Sequence, residues 1–236
     1  MAKKNMLPTN ARLYITFVIA SGLAILLLAA KSWSSPNIKQ FAIYLGLAAL
    51  ASTLKIRIPG IESTITPSFI FVTLAINACG FSEVVAIAVV AAVVQSLFAS
   101  AKRPRLVQVA FSAAALIIGV AAAFELSHLL LTGNAWASSV GTIILAGSVY
   151  FPVSAALVAV VLGLISGQSF RQILDNCDVS TFPYFIGGIA FAALVTSGSN
   201  PSSGWKGPLL LIPVVILTHF YFKRRFAQRL VGQLSA

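Results

Sequence analysis

The stretch LVQVAFSAAALIIGVAAAFELSHLLL, residues 106–131, decides the fold, because one glutamate and one histidine are its only ionisable side chains. A helix rises about 1.5 Å per residue and the hydrocarbon core of a bilayer is about 30 Å thick, so about 20 apolar residues cross it. Residues 106–131 exceed that length. Only a helix or a closed barrel satisfies its backbone hydrogen bonds in lipid, so this segment is predicted to be a transmembrane helix.

The rest of the chain has the same character. Hydrophobic residues make up 58% of the 236 positions and charged residues 9%, against about 25% charged in a typical soluble domain. Apolar stretches extend from residue 11 to residue 222 and leave no room for a separate folded domain. We therefore predict an all-α, polytopic membrane helical bundle, formed by one domain over residues 1–236 and located in the plasma (inner) membrane.

Hydrophobic length and turn residues divide the chain into eight predicted spans. Thr66 with Pro67 is expected to begin the third span and Ser82 the fourth, and Pro152 is expected to kink the sixth. A polar loop is expected after the sixth. The last two spans are short enough to form a re-entrant hairpin, so the predicted number is six to eight. The spans are 12–30, 38–56, 66–80, 82–101, 106–131, 138–166, 182–196 and 205–222.

The basic residues predict the orientation. With the N-terminus inside, thirteen Lys and Arg flank the cytoplasmic side and three, Lys31, Lys39 and Lys206, flank the outer side. Cytoplasmic flanks carry this excess in membrane proteins, so both termini are predicted to be cytoplasmic. The net charge of +11 is then an orientation signal. Because the basic residues are scattered at helix ends rather than clustered with aromatic ones, no nucleic-acid partner is predicted.

Small residues at four-residue spacing predict how the helices pack. Lipid tails are as apolar as leucine, so membrane helices associate through close packing of small side chains. The two predicted ridges are Ala115, Gly119 and Ala123 in the fifth span and Ala155, Ala159 and Gly163 in the sixth.

Polar residues within or near the predicted spans are the candidate ligand-binding residues, because a polar group in hydrocarbon must find a partner. Gln95 is the best single candidate, since it lies nearest the middle of the membrane, and Gln108 is a related amide. Interhelical hydrogen bonding is the alternative interpretation for the amides. The candidates are Asn77, Gln95, Glu125, His128 and Tyr150.

Glu125 and His128 are the only close acid and base pair, three residues apart and so on one helix face. A carboxylate-bridged metal site would need further ligands from facing helices, and the other histidine, His219, is predicted to lie at the opposite membrane face. An interfacial pair with its hydrogen bonds satisfied and a binding or proton-sensitive site both remain open. Phosphate-binding loops, Cys-x-x-Cys pairs and nucleophile elbows are absent. We therefore predict no metal, cofactor or catalytic residue, and an enzyme is not favoured.

Two stretches carry a resemblance to a known family. Residues 55–72, KIRIPGIESTITPSFIFV, and 102–109, KRPRLVQV, resemble the multi-span N-terminal modules of bacterial signalling proteins with cytoplasmic HD-GYP or GGDEF output domains. The segment 222–230, FKRRFAQRL, is similar to the helix that leads from such modules to their output, although no output domain follows here. The resemblance implies a sensory or anchoring module in contact with membrane lipids. It would bind a small apolar or lipid-like ligand and pass a conformational signal to a cytoplasmic partner.

Two other functions remain open. The first is a substrate-binding membrane subunit similar to the vitamin-binding components of energy-coupling importers, which would have an ATPase partner and which have fewer spans than eight. The second is an intramembrane enzyme acting on a lipid, which would use Glu125 and His128.

Overall fold

The computed structural model describes residues 8–57, 64–98, 104–131, 139–167 and 170–197, and positions 208, 209, 212, 213, 215–217, 220 and 224. For residues 56, 57, 64, 65 and 170–183 it describes the backbone alone. The helices are α1 Thr9–Lys31, α2 Ile38–Thr53, α3 Ser68–Ala78, α4 Phe81–Leu97, α5 Leu106–Leu131, α6 Ser139–Ser166 and α7 Phe170–Ser197. A short antiparallel ribbon joins β1 Ile56–Arg57 to β2 Thr64–Ile65, with Ile56 opposite Ile65.

The helical bundle is confirmed, and three of its helices, α1, α5 and α6, are long and apolar enough to cross a membrane. α5 has the predicted bounds, and α6 begins at Ser139 and runs without a break through Pro152. α2, α3, α4 and the segment Tyr184–Ser197 of α7 are shorter apolar helices. The predicted span 205–222 lies mostly outside the described residues. Its described positions are helical, and Val215 is buried in the main core.

The predicted C-terminal end of the second span is wrong. α2 ends at Thr53, where the Leu54 and Lys55 N–H groups donate to the carbonyl oxygens of Ala51 and Thr53 at 3.1 and 3.0 Å. The chain then continues into β1 at Ile56. Hydrophobicity does not distinguish the end of a helix from the start of an apolar strand, so the apolar length overestimates this helix.

The predicted caps of the third and fourth spans are also wrong. Pro67 occupies the N-cap position of α3 rather than its first turn, and the Thr66 hydroxyl lies 3.0 Å from the Ser68 hydroxyl instead of capping the helix. α4 begins at Phe81, one residue before Ser82, and ends at Leu97 rather than residue 101. Serine and threonine are frequent N-caps, but other groups take that role here.

The polar loop expected after the sixth span is wrong as well, because α7 is helical from Phe170 onwards. The break lies earlier, at Gly167, whose φ of +70° is the left-handed conformation that commonly ends a helix. A polar stretch fails the criterion for crossing lipid, yet it keeps the backbone hydrogen bonds of a helix. The drop in hydrophobicity at residue 170 therefore does not mark an end of helical structure.

α3 lies at the centre of the bundle. All nine residues from Ser68 to Ile76 are buried, and α2, α4, α6 and α7 pack around the helix. A helix without a polar face is typical of such an enclosed position. Its 11 residues rise about 16 Å, about half of a hydrocarbon core. The two residues before it, Thr66 and Pro67, belong to no helix or strand and are also buried, so protein surrounds this irregular backbone.

The predicted small-residue ridge on α5 forms a helix interface. Ala115, Gly119 and Ala123 are buried, and α6 is the helix with which α5 packs most extensively. A Cβ added to Gly119 would collide with Ser154 Oγ and lie 3.3 Å from Tyr150 Cδ2, both on α6. The helices approach this closely because position 119 has no side chain.

Candidate functional site

A cavity of about 350 Å³ lies between α4, α5 and α6, next to Lys55 beyond the end of α2. Its size is within the usual range of small-molecule sites, about 300–1,000 Å³. Val109, Leu116 and Val158 contribute apolar walls. The polar part of the lining consists of Lys55, Gln95, Ser96, Gln108, Ser112 and Ser154. This concentration of polar side chains is unusual in a bundle with 58% hydrophobic residues.

Helical spacing brings these side chains to one place. On α5, Gln108 and Ser112 are four residues apart, and the same face continues to Ala115 on the buried ridge. On α4, Gln95 and Ser96 lie in the last turn before Leu97. Apart from Lys55, which follows the end of α2, the polar groups therefore come from helix ends and helix interfaces.

Ser154 has the most unusual environment in the cavity. Its Oγ is buried, and no described residue forms a hydrogen bond with it. A buried hydroxyl without a partner costs about 1–3 kcal/mol, so a group that completes this hydrogen bond would stabilise the bundle. Each such orphan group calls for an explanation, and an incoming ligand supplies one.

The two amides of the lining differ in their partners. Gln108 Oε1 accepts a hydrogen bond from the Arg105 backbone N–H at 3.0 Å, which caps the first turn of α5. Its amide nitrogen therefore keeps its two N–H donors for other acceptors. The half-buried side chain of Gln95 forms no hydrogen bond with any described residue.

The five candidate ligand-binding residues do not lie together in the structure. Gln95 lines the cavity. Tyr150 is buried one turn before Ser154, against Gly119, and contacts the interface rather than the cavity. Asn77 lies near the C-terminal end of α3.

Glu125 and His128 lie in the last two turns of α5, away from the cavity at the first turns of that helix. Both side chains are exposed. The His128 ring folds back onto its own helix, with Nδ1 2.8 Å from the Phe124 carbonyl oxygen and the ring stacked on Phe124 at 4.0 Å. The His128 ring therefore has its printed partners on its own helix, and both interpretations of the pair stay predictions. Among the described residues, no group of three His, Cys, Asp or Glu side chains is arranged to hold a metal ion.

Sequence reasoning missed the role of Glu83, which is 3% exposed. Ser35 Oγ donates to its Oε1 at 2.5 Å and the Gly80 N–H donates to its Oε2 at 2.9 Å. The Ser82 hydroxyl beside it donates to the Ser32 carbonyl oxygen at 3.1 Å. Glu83 thus joins the connection between α1 and α2 to the start of α4, and the available signal was a glutamate at the third position of a helix.

Sequence reasoning also missed Lys55 and Ser112 as cavity residues, and it indicated Ser154 only as part of the helix that Pro152 interrupts. The position of Ser112, four residues after Gln108 on one helix face, was a usable signal.

In comparisons with protein-family models, curated proteins and solved structures, nothing matches this chain. The resemblance to the N-terminal modules of HD-GYP and GGDEF proteins therefore stays a prediction, and the function has to be derived from the cavity.

Proposed function

We propose that this chain is a multi-pass protein of the plasma membrane that binds a small molecule in the cavity between α4, α5 and α6. Lipid contact is supported by the large apolar side chains on the outside of the bundle. On α1, Leu13 and Phe17 are 66% and 69% exposed, and Leu27 and Leu28 are 61% and 64% exposed. A water-soluble surface rarely carries such a density of exposed apolar groups.

The proposed topology has both termini in the cytoplasm and eight crossings. Its support is that the hydrogen bonds from Ser35 to Glu83 and from Ser82 to Ser32 hold the α1–α2 connection against the α3–α4 connection. Alternate connections lie on the same side of the bundle if successive segments run back and forth, so this contact supports that order for the first four helices. In this topology α3 crosses together with the buried non-helical residues Thr66 and Pro67 before it.

Ligand binding is proposed on one observation above all, the buried Ser154 hydroxyl without a partner in a cavity of about 350 Å³. Polar side chains line a space that apolar side chains would fill with closer packing. Of the small apolar or lipid-like ligands that the resemblance implies, this arrangement favours one with hydrogen-bonding groups as well as apolar surface. A ligand that contacts α4, α5 and α6 also bridges the helices whose spacing a sensory module has to change.

The proposed role is a sensory or anchoring module that signals to a cytoplasmic partner. Such a switch needs a ligand that binds one arrangement of the helices more tightly than the other. The second candidate is a substrate-binding subunit of an importer with an ATPase partner. One observation favours it: α3 is too short to cross alone, which lowers the number of full-length spans towards that of the importer subunits.

The test is the ligand content of the protein in lipid nanodiscs, measured by native mass spectrometry and by mass spectrometry of the extracted small molecules. Gln95→Leu replaces an amide of the lining with an apolar side chain of similar size, so we expect the co-purified compound to fall about tenfold, since a lost hydrogen bond in a site costs about 1–2 kcal/mol.

Ser52→Ala is the matched control, because the Ser52 hydroxyl is buried on α2 but donates to the Ala48 carbonyl oxygen of its own helix. Ligand content should be unchanged in this variant. Equal ligand content in Gln95→Leu and the wild-type protein would remove the cavity from the proposed function. A stable association with an ATPase in place of a signalling partner would favour the importer subunit.

A further inference from the structure

We infer that the second half of α6, residues 153–166, swings about Pro152 and thereby changes the width of the cavity between α4, α5 and α6. The inference deepens the proposed function, on which its regulatory role rests, because it names the part of the bundle that a ligand in the cavity holds in one position.

The first argument is the backbone of α6. Proline has no N–H group, so the Ser148 carbonyl oxygen lacks the donor that a regular helix provides four residues later, at position 152. The helix is continuous here, yet proline is the commonest place for a sharp bend in a helix. Two residues after the proline, the buried Ser154 hydroxyl forms no hydrogen bond with any described residue. Two missing hydrogen bonds therefore fall within two turns of one helix.

The second argument is that the two halves of α6 pack into different hydrophobic clusters. Ile143 and Ala146, before the proline, belong to the main core that contains α3. Val161, after the proline, belongs to a separate cluster with Val18 of α1 and Phe111 of α5. The change from one cluster to the other coincides with the weak point of the backbone.

The first half of α6 is also held more firmly than the second. A Cβ added to Gly147 would lie 2.6 Å from Ile189 Cδ1, so α6 and α7 are in close contact there. Of the described residues of α6, four are buried before Pro152 and two after it, Ala159 and Val161. A movement of the second half therefore separates few buried side chains and leaves the main core intact.

The cavity lies next to the segment that moves. Ser154 and Val158 line it from the second half of α6, and Gln95 lines it from α4. The close contact of Gly119 with Ser154 and Tyr150 lies at the level of the proline, where a bend displaces the helix least. A change in the tilt of residues 153–166 therefore alters the distance between α6 and α4 across the cavity.

α1 is coupled to the same half of α6. The Tyr14 hydroxyl donates to the Leu157 carbonyl oxygen at 3.1 Å, and both side chains pack against the cluster that contains Val161. Tyr14 lies in the second turn of α1, at the end of that helix that is predicted to be cytoplasmic. This contact carries a movement of α6 to the predicted cytoplasmic end of α1.

The experiment measures distances between spin labels by double electron–electron resonance on the protein in lipid nanodiscs. In a background with Cys79 and Cys177 changed to serine, labels are placed at Leu97 and Ile165, which are exposed near the C-terminal ends of α4 and α6. The helix rises about 20 Å from Pro152 to Ile165, and a bend of about 20° moves its end by about 7 Å. We therefore expect two populations of this distance that differ by about 7 Å.

A second pair of labels is the internal reference. Leu13 is exposed on α1 next to Tyr14, so a label there reports on the helix that is coupled to the second half of α6. The distance from Leu13 to Ile165 should show one narrow population. A single narrow population for Leu97 and Ile165 as well would overturn the hinge.

Two variants assign the movement to the proline. Pro152→Ala restores the N–H donor to the Ser148 carbonyl oxygen, so the two populations between Leu97 and Ile165 should merge into one. Pro213→Ala is the matched control, because Pro213 is an exposed proline at a described helical position outside α6, and it should leave both populations in place. Two populations that persist in Pro152→Ala would overturn the role of the proline. If Pro152→Ala does not fold, the comparison of the two label pairs in the wild-type background remains decisive.

The ligand content of the labelled samples separates the hinge from the proposed function. Where the co-purified compound decreases in Gln95→Leu, the population that it stabilises should decrease with it. An unchanged ratio of the two populations, with the compound lost, would overturn the regulatory role of the hinge while the binding function stands. Ligand content that is unaffected by Gln95→Leu would contradict the proposed function, whereas the two populations would still establish the hinge.

Discussion

Two neighbouring glycines of α7 have opposite surroundings. Gly187 is exposed, and a Cβ added there would meet nothing within 4 Å. Gly188 is buried, and a Cβ added there would lie 2.9 Å from Phe69 Cε2 and 3.1 Å from Ile70 Cγ1. The Phe69 ring has little room to move, because it packs against Phe185 with the ring centres 4.4 Å apart.

Gly188→Ala should therefore destabilise the protein by about 1–3 kcal/mol, the usual cost of adding volume to a packed core. Gly187→Ala should be neutral or stabilise it by up to about 1 kcal/mol, because alanine is the better helix former. Thermal unfolding of both variants in the same detergent measures the difference. If both substitutions have the same effect, the contact between α3 and α7 at this position is not formed.

At the scale of single residues, the candidate ligand-binding residues were predicted as polar side chains within apolar spans, where an unpartnered polar group is costly. Gln95 lines the cavity and was identified because an amide in the middle of an apolar span needs a partner. Lys55 was interpreted as an orientation signal, since a lysine after a helix usually has that role. The missing hydrogen-bond partner of Ser154 was not predictable, because the cavity beside its hydroxyl exists only once α5 and α6 have packed together.

At the scale of elements, Glu83 links the start of α4 to the connection between α1 and α2. Its two oxygens accept from Ser35 and from the backbone of Gly80. In Glu83→Gln, one oxygen is replaced by an NH₂ group that faces a donor, so one hydrogen bond is lost and a buried polar group is left without a partner.

Glu83→Gln should lower the free energy of unfolding by about 1–3 kcal/mol. Glu125→Gln is the matched control, because it makes the same chemical change on an exposed side chain and should stay within about 0.5 kcal/mol of the wild type. The measurement is thermal unfolding of the two purified variants at neutral pH. A comparable loss of unfolding free energy in Glu125→Gln would show that the negative charge itself stabilises the protein, rather than the hydrogen bonds of Glu83 to Ser35 and Gly80.

The predicted element bounds were accurate where a long apolar run ends in charged or polar residues. α5 is the clearest case, with the predicted Leu106–Leu131. The end of α2 at Thr53, the short α3 and the early start of α7 at Phe170 were not predicted. Hydrophobicity reports which solvent a residue meets, whereas helix ends depend on which groups are free to cap the backbone.

At the scale of the whole molecule, the basic residues predict which side faces the cytoplasm. Lys39 and Arg105 are both exposed and belong to opposite predicted sides. In a background with Cys79 and Cys177 changed to serine, Lys39→Cys should react with a membrane-impermeant maleimide in intact cells. Arg105→Cys should react only after the membrane is permeabilised, because its helix end is predicted to be inside.

The reverse pattern of labelling would invert the proposed orientation. Labelling of both cysteines from the same side would break the antiparallel order of α2 and α5 relative to the membrane.

The overall architecture was predictable from composition because 9% charged residues cannot cover a soluble fold. The central position of α3 was not, since composition alone does not tell a helix that faces lipid from one that faces only protein.

The enclosed position of α3 has a consequence for biosynthesis. A polypeptide enters the membrane from its N-terminus onwards, so α3 leaves the ribosome before α6 and α7, two of the helices that cover it. Until those helices arrive, α2 and α4 cover α3 on some sides only, and the faces that pack against α6 and α7 stay uncovered. At that stage the segment is therefore incompletely packed. Closure of α6 and α7 over α3 is then the late step that commits the chain to its final structure.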